Sequence, residues 1–187
     1  MTVFSDSIKA HCATVELLDP LQAAIAEVCN IITTAFNNGN KVLLFGNGGS
    51  AADAQHIAAE LVGRFRIQRR GLAAIALTTD TSIITALGND YTFEYVFCRQ
   101  VDALAQKGDI IIGISTSGNS PNVLKGIQSA AAAGCTTIGL LGGSGGTIKS
   151  EVDIAIVVPS NETPRIQECH ILLGHIICDI VERNFAH

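Results

Sequence analysis

Five short apolar runs, each closed by turn residues, constrain this chain more than anything else in its 187 residues: Lys41 to Phe45, Ala73 to Leu77, Asp109 to Ile114, Thr136 to Leu141 and Ile154 to Val158, the last stopped by Pro159. A strand with one wet face alternates apolar and polar residues, whereas these runs are apolar nearly throughout and so read as strands covered on both faces. Segments of helical composition stand between them: Ser50 to Val62, Thr92 to Ala105, and Asn119 to Ala133 closed by Gly134. Strand and helix in alternation imply right-handed crossovers, and hence an α/β fold: a doubly wound, flavodoxin-like, five-stranded parallel sheet with helices on both faces.

Two further helices, about Phe4 to Leu18 and Leu21 to Asn37, precede the first strand and are separated at Asp19-Pro20, where proline suits a first helical turn. A long helix from about Pro164 to Phe185 follows the last strand, with apolar residues over much of its surface. Without a linker or composition shift, residues 1–187 read as one domain, with 1–38 available for oligomer packing and 39–187 as the α/β core. Apolar helices surplus to the core predict self-association.

Apolar residues make up 48% of the chain and charged ones 16%, enough for a sizeable core and against disorder. The formal charge is -5 and the basic residues are scattered, so nucleic acid is not an expected partner. No apolar run approaches the ~18 residues of a membrane helix, and the first ten residues lack the basic-then-apolar order of a secretory signal, so the expected location is cytoplasmic. The six cysteines form no CxxC pair and mostly lie in apolar segments, where a reduced cysteine behaves as a small hydrophobe.

Ligands of open α/β sheets bind beyond the C-terminal ends of the strands, which directs attention to the loops there. After the first strand comes Gly46-Asn47-Gly48-Gly49-Ser50, where glycines admit close approach of a ligand and a helix N-terminus offers N–H groups to an anion. Its match to a dinucleotide fingerprint is imperfect, since Ala51 replaces the last glycine and Asp80 lies beyond the expected spacing for a ribose ligand. After the third strand stands Ser115-Thr116-Ser117-Gly118-Asn119-Ser120-Pro121. One hydroxyl suffices to cap a helix; four at one helix N-terminus suit a phosphate monoester, bound without a basic side chain. The later run Gly142-Gly143-Ser144-Gly145-Gly146 reads as a mobile or a closely packed turn.

His56 and Glu60, at i and i+4, share one helix face. Gln167, Glu168, His170 and His175 gather on the closing helix, with Gln167 and His175 on broadly one side. Such a set suits either a divalent metal site or an acid/base pair.

Together these segments resemble the sugar isomerase (SIS) domain family and, within it, the bacterial phosphoheptose isomerases. The likeness spans nearly the whole chain and rests on Gly46-Asn-Gly-Gly-Ser, Asp53-Ala-Gln-His-Ile-Ala-Ala-Glu-Leu-Val-Gly-Arg-Phe, Gly88-Asn-Asp, Gly113-Ile-Ser-Thr-Ser-Gly-Asn-Ser and Arg165-Ile-Gln-Glu-Cys-His with His175. What it implies is conversion of sedoheptulose 7-phosphate to D-glycero-D-manno-heptose 7-phosphate, toward the heptose of bacterial surface polysaccharide. It further implies that Ser115, Thr116, Ser117 and Ser120 hold the phosphate, that Asn47, Gly48, Gly49, Asn89, Asp90, Glu60 and Gln167 meet the sugar, and that His56, Glu60, Gln167 and His175 ligate one Zn2+ per subunit. Glu60 and His175 are the implied catalytic pair, in either assignment of base and acid, and a homotetramer with sites between subunits is the implied assembly. Two other readings compete. A non-catalytic SIS-domain adaptor that binds the replication initiator shares the serine loop, but lacks equivalents of Glu60 and His175; a dinucleotide oxidoreductase is opposed by the imperfect fingerprint.

Overall fold

A computed structural model of the chain describes residues 2–186; the expected domain ends at Met1 and His187 lie outside them. The elements run α1 (Thr2–Glu16), a 3-10 turn (Asp19–Leu21), α2 (Gln22–Asn37), β1 (Val42–Gly46), α3 (Gly49–Val62), β2 (Ala74–Ala76), α4 (Thr81–Asp90), a 3-10 turn (Phe93–Tyr95), α5 (Cys98–Leu104), β3 (Ile110–Ser115), α6 (Pro121–Ala132), β4 (Thr136–Gly142), a 3-10 turn (Thr147–Ser150), β5 (Ile154–Val158) and α7 (Thr163–Arg183). The sheet order is β2-β1-β3-β4-β5 and every pairing is parallel, the flavodoxin-like arrangement expected from the apolar runs.

Side chains along β1 alternate between two cores. Val42 and Leu44 face a core built with α2, α3 and α7, whereas Leu43 and Phe45 face a smaller one with Phe97, Val101, Val123 and Ile127 from the α5–α6 side. All five residues of β1 are buried, as a central strand requires. Because the chain moves from β1 outward to β2 and then back across to β3, the loops leaving β1 and β3 diverge and open a crevice at the C-terminal edge.

The helix expected over Thr92 to Ala105 is two shorter pieces. Thr92 is extended (φ -153°), Phe93–Tyr95 forms a 3-10 turn, and only Cys98–Leu104 is α-helical. The aromatic and β-branched run at 93–97 has weak helix propensity, and the break lets Val96 and Phe97 turn inward while Phe93 stays 58% exposed. Helix α4 was not expected at all. Asp80 caps it, its side chain accepting the Ile83 N–H at 2.9 Å; none of its residues is fully buried, and its short apolar stripe of Ile84 and Leu87 is only half covered, with Leu87 against the smaller core.

Helix α1 also stands largely outside the core, with Thr14 its one buried residue among those described and Val3, Phe4 and Ile8 exposed. Cys29, Cys98, Cys135, Cys169 and Cys178 are buried, and burial pushes the Cys29 thiol up to about 11 and that of Cys178 to about 12. No helix among the described residues is long and apolar enough to cross a membrane.

Candidate active site

The glycine loop after β1 owes its path to two close approaches. A side chain at Gly46 would collide with the Ile114 carbonyl at 2.8 Å, and Gly48 takes a positive φ of 56° to start α3. Gly49 has no room for a Cβ because the Gln167 amide lies against it, which joins α7 to this loop. Asn47 reaches the other way, exchanging two amide hydrogen bonds with buried Asn122 at 2.9 and 2.8 Å. That pair spans the crevice between the β1 and β3 loops. Asn122 also accepts the Val123 N–H at 2.9 Å; a lone asparagine after Ser120-Pro121 carries no sequence signal for this role.

The hydroxyls after β3 are not spent on capping. Ser120 occupies the N-cap position of α6 without making a side-chain cap bond, and instead meets the Ser115 hydroxyl at 2.9 Å. Ser117 accepts the Asn119 N–H at 3.2 Å. Thr116 and Ser117 line a polar cleft of about 220 Å³ with Gly143, Ser144, Ser160 and Thr163. Hydroxyls that are not engaged in capping the helix beside them are free to turn toward an anion.

The glycine run at 142–146 resolves as a closely packed turn. It braces the serine loop main chain to main chain: Gly118 (φ 66°) would drive a Cβ into the Gly145 carbonyl, and Gly146 would drive one into the Gly118 carbonyl. The Ile148 N–H donates to the Gly118 carbonyl at 2.9 Å and the Thr147 N–H to the Asn119 side chain at 2.9 Å.

Helices α3 and α7 bring the ionisable residues together. His56 Nε2 lies 3.3 Å from Glu60 Oε1 along α3 and 2.8 Å from His175 Nε2 across the seam, the two rings set edge to face at 64°. Ligand atoms of His56, Glu60 and His175 all fall within 4.8 Å of one another. Two imidazole nitrogens facing each other beside a carboxylate need either a shared proton or an electron-poor partner common to all three. Two imidazoles and a carboxylate form a donor set of the kind that suits a divalent metal ion; Gln167, the fourth expected ligand, lies against Gly49 of the glycine loop.

Three further residues on or beside α3 are not among the expected site residues, although Asp53 and Phe65 begin and end the segment that carries the family resemblance. Asp53, one turn before His56, has Oδ2 buried without a hydrogen-bond partner; burial raises its pKa to about 6, with the charge of His56 acting in the opposite direction. Phe65 stacks on the His175 ring at 5.2 Å between centroids and 24°. Thr78 accepts from Gln55 Nε2 at 3.2 Å and bonds the Ala51 carbonyl at 3.3 Å, fastening β2's exit to α3. Asn89 and Asp90 stand exposed on the last turn of α4, where Asn89 Nδ2 donates to Asp90 at 2.9 Å. Neither lines the cleft that Asn47 and Gly48 share with Thr78, Ile84 and Phe93.

This combination of a doubly wound sheet, a hydroxyl loop at the switch point and a helix-borne His/Glu cluster has a counterpart among known proteins. The chain belongs to the SIS domain family, whose profile matches residues 4–142, and within it to the phosphoheptose isomerases. A phosphoheptose isomerase of Trichlorobacter lovleyi is 62% identical over 164 residues, covering 88% of this chain and 84% of the relative. One from Aquifex aeolicus is 59% identical over 180 residues, covering 96% and 93%. Among solved structures, the phosphoheptose isomerase of Neisseria gonorrhoeae superposes with a TM-score of 0.87 at 43% identity, covering 97% of this chain and 96% of that one. That of Francisella tularensis gives 0.89 at 40%, covering 97% and 95%.

Proposed function

We propose that the chain is an isomerase that converts sedoheptulose 7-phosphate to D-glycero-D-manno-heptose 7-phosphate through an enediol. The observation that carries this reading is the convergence of His56, Glu60 and His175 on one seam, in a chain whose relatives at 55–63% identity bear the name phosphoheptose isomerase. Ketose to aldose conversion moves a proton from C1 to C2 and exchanges the protons on O1 and O2, which requires a base, an acid and stabilisation of the developing oxyanion. Glu60 takes the C1 proton; His175 supplies a proton to O2, giving the neutral enediol. Glu60 then returns a proton to C2 as His175 removes the one on O1, leaving the C1 aldehyde. The exchange of these two roles is the alternative assignment. Asp90 assists opening of the sugar ring.

His56, Glu60, His175 and Gln167 would hold one Zn2+ per subunit, which when bound polarises the carbonyl and hydroxyl oxygens. The phosphate rests on Ser115, Thr116, Ser117 and Ser120; the Ser115 hydroxyl meets those of Ser117 and Ser120, and Ser120 makes no side-chain cap bond to the helix. Asn47, Gly48, Gly49, Gln167 and Asn89 meet the sugar. Residues 1–187 act as one unit that assembles as a homotetramer through α1 and α2, whose exposed Val3, Phe4 and Ile8 support that reading; it works in the cytoplasm, toward heptose for surface polysaccharide.

The adaptor reading is disfavoured by the presence and convergence of Glu60 and His175. The deciding experiment incubates metal-replete protein with sedoheptulose 7-phosphate and follows the aldose by NMR, beside Glu60→Gln. Aldose from the parent and none from the variant is the expected result; absence of turnover in both, with the phosphosugar still bound, overturns the isomerase reading. Elemental analysis of the parent and of His175→Gln tests zinc, with metal expected in the first and lost from the second.

A further inference from the structure

Helix α7 carries an acid that the reaction above leaves unused. Glu182 is fully buried and follows His175 by seven residues, two turns along one face. Its Oε1 accepts the N–H groups of Arg66 at 2.8 Å and Ile67 at 3.1 Å, and its Oε2 that of Phe65 at 3.1 Å. Beside it lies Arg69, its side chain equally buried, with Nε 3.8 Å from Oε2. The other guanidinium nitrogens donate to main-chain carbonyls: Glu60 at 2.8 Å, Leu61 at 2.8 Å, Gly63 at 3.0 Å and Arg70 at 3.0 Å. Glu60 and Leu61 belong to the last turn of α3, where helix carbonyls lack partners within the helix and a cation is favoured by the helix dipole.

One buried charge pair thus grips both halves of the seam. Glu182 holds three consecutive N–H groups of the strap after α3, and the strap lays the Phe65 ring flat on His175. Arg69 ties down the main chain of Glu60 itself. A buried pair is a weak stabiliser, because desolvation offsets most of its Coulomb gain. Geometry is what it supplies here. A ring on one face of His175 limits rotation of the imidazole and keeps Nε2 directed at His56 and Glu60.

We propose that Glu182 and Arg69 are positioning residues for the isomerisation: by fixing the strap and the end of α3 they set, through Phe65, the orientation of the His175 ring against Glu60. This rests on the reaction proposed above, whereas its first readout, the ring-nitrogen NMR resonances of His175 in full-length protein, requires no turnover. His170, buried on the same helix and bonded to the Leu141 carbonyl at 3.0 Å, serves as internal control. Phe65→Leu leaves every main-chain bond of Glu182 possible and so tests the ring even if Glu182→Gln fails to fold.

The expected result is that both variants move the His175 resonances and leave those of His170 in place, while kcat falls roughly tenfold to a hundredfold with KM within about twofold. Phe65→Tyr, which keeps the ring, is expected to restore both readouts. Parent-like His175 resonances in Phe65→Leu, with kcat unchanged, overturn the proposal, as does a lowered melting temperature as the sole effect of Glu182→Gln. A parent protein without turnover, whose His175 resonances nonetheless respond to Phe65→Leu, refutes the reaction and leaves the positioning intact.

Discussion

The α3–α7 seam and the serine loop are built on opposite principles. The seam holds two imidazoles and a carboxylate on two helices, converging within 4.8 Å, and depends on contacts far apart in sequence: His56 and His175 are 119 positions apart. The serine loop holds neutral hydroxyls on one strand-to-helix turn, and its main chain is propped by a second glycine-rich turn. Chemistry that moves protons needs ionisable groups held to a fraction of an ångström, and rigid helices provide that. A doubly charged phosphate needs many donors and little motion from any of them, and a turn with a helix N-terminus is enough. Changes in the seam are therefore expected to act on turnover, and changes in the loop on binding.

The sharpest break in this division is Glu60→Gln, expected to lower kcat by two or more powers of ten while changing KM for the phosphosugar little, as steady-state rates would reveal. Next comes Ser120→Ala, which removes one donor from the proposed phosphate site. KM is expected to rise about tenfold with kcat within a few-fold, in keeping with about 1.5 kcal/mol for a hydrogen bond to a charged group. A kcat effect as large as that of Glu60→Gln would mean that the loop also shapes the reacting end of the sugar.

Gly118→Ala probes the prop and not the hydroxyls. At φ 66° and against the Gly145 carbonyl, the added methyl is expected to cost about 2 kcal/mol in thermal or denaturant unfolding, with a smaller rise in KM. The smallest effect on activity is expected at the opposite edge of the sheet. Asp109 is 1% exposed; burial alone would raise its pKa, but hydrogen bonds from the Lys41 ammonium and main chain, Gln106 and Asn40 hold it below the usual carboxylate range. A lowered pKa in the folded state contributes stability above the unfolded value, lost as pH falls through the folded one. Asp109→Asn should cost roughly 3 kcal/mol at neutral pH, with a loss that shrinks below about pH 4, and should leave kcat and KM unchanged.

How much of this could be read from residue order follows the same division. The strands were legible because runs such as Ile110–Ile114 are buried on both faces, and the serine loop because four hydroxyls exceed what one cap consumes. Helix α4 was not, since it is only ten residues long, contains Gly88, and covers its short stripe of Ile84 and Leu87 only in part. Within the seam, His56 and Glu60 showed as an i,i+4 pair, but nothing local in Asn122, Phe65 or Glu182 marks them. Their roles arise from partners 75, 110 and about 116 positions away in the chain, and a buried glutamate whose partners are main-chain N–H groups leaves no complementary residue to find.

That long separation also orders events in time. While the polypeptide is being made, His56 and Glu60 leave the ribosome well before His175, and at about 5–20 residues per second the intervening 119 positions take roughly 6 to 24 seconds. For that interval the growing chain owns half a seam, with two of the three side chains of the cluster. The three-residue cluster therefore comes into being only when α7 docks, after the last of the five strands has already been made.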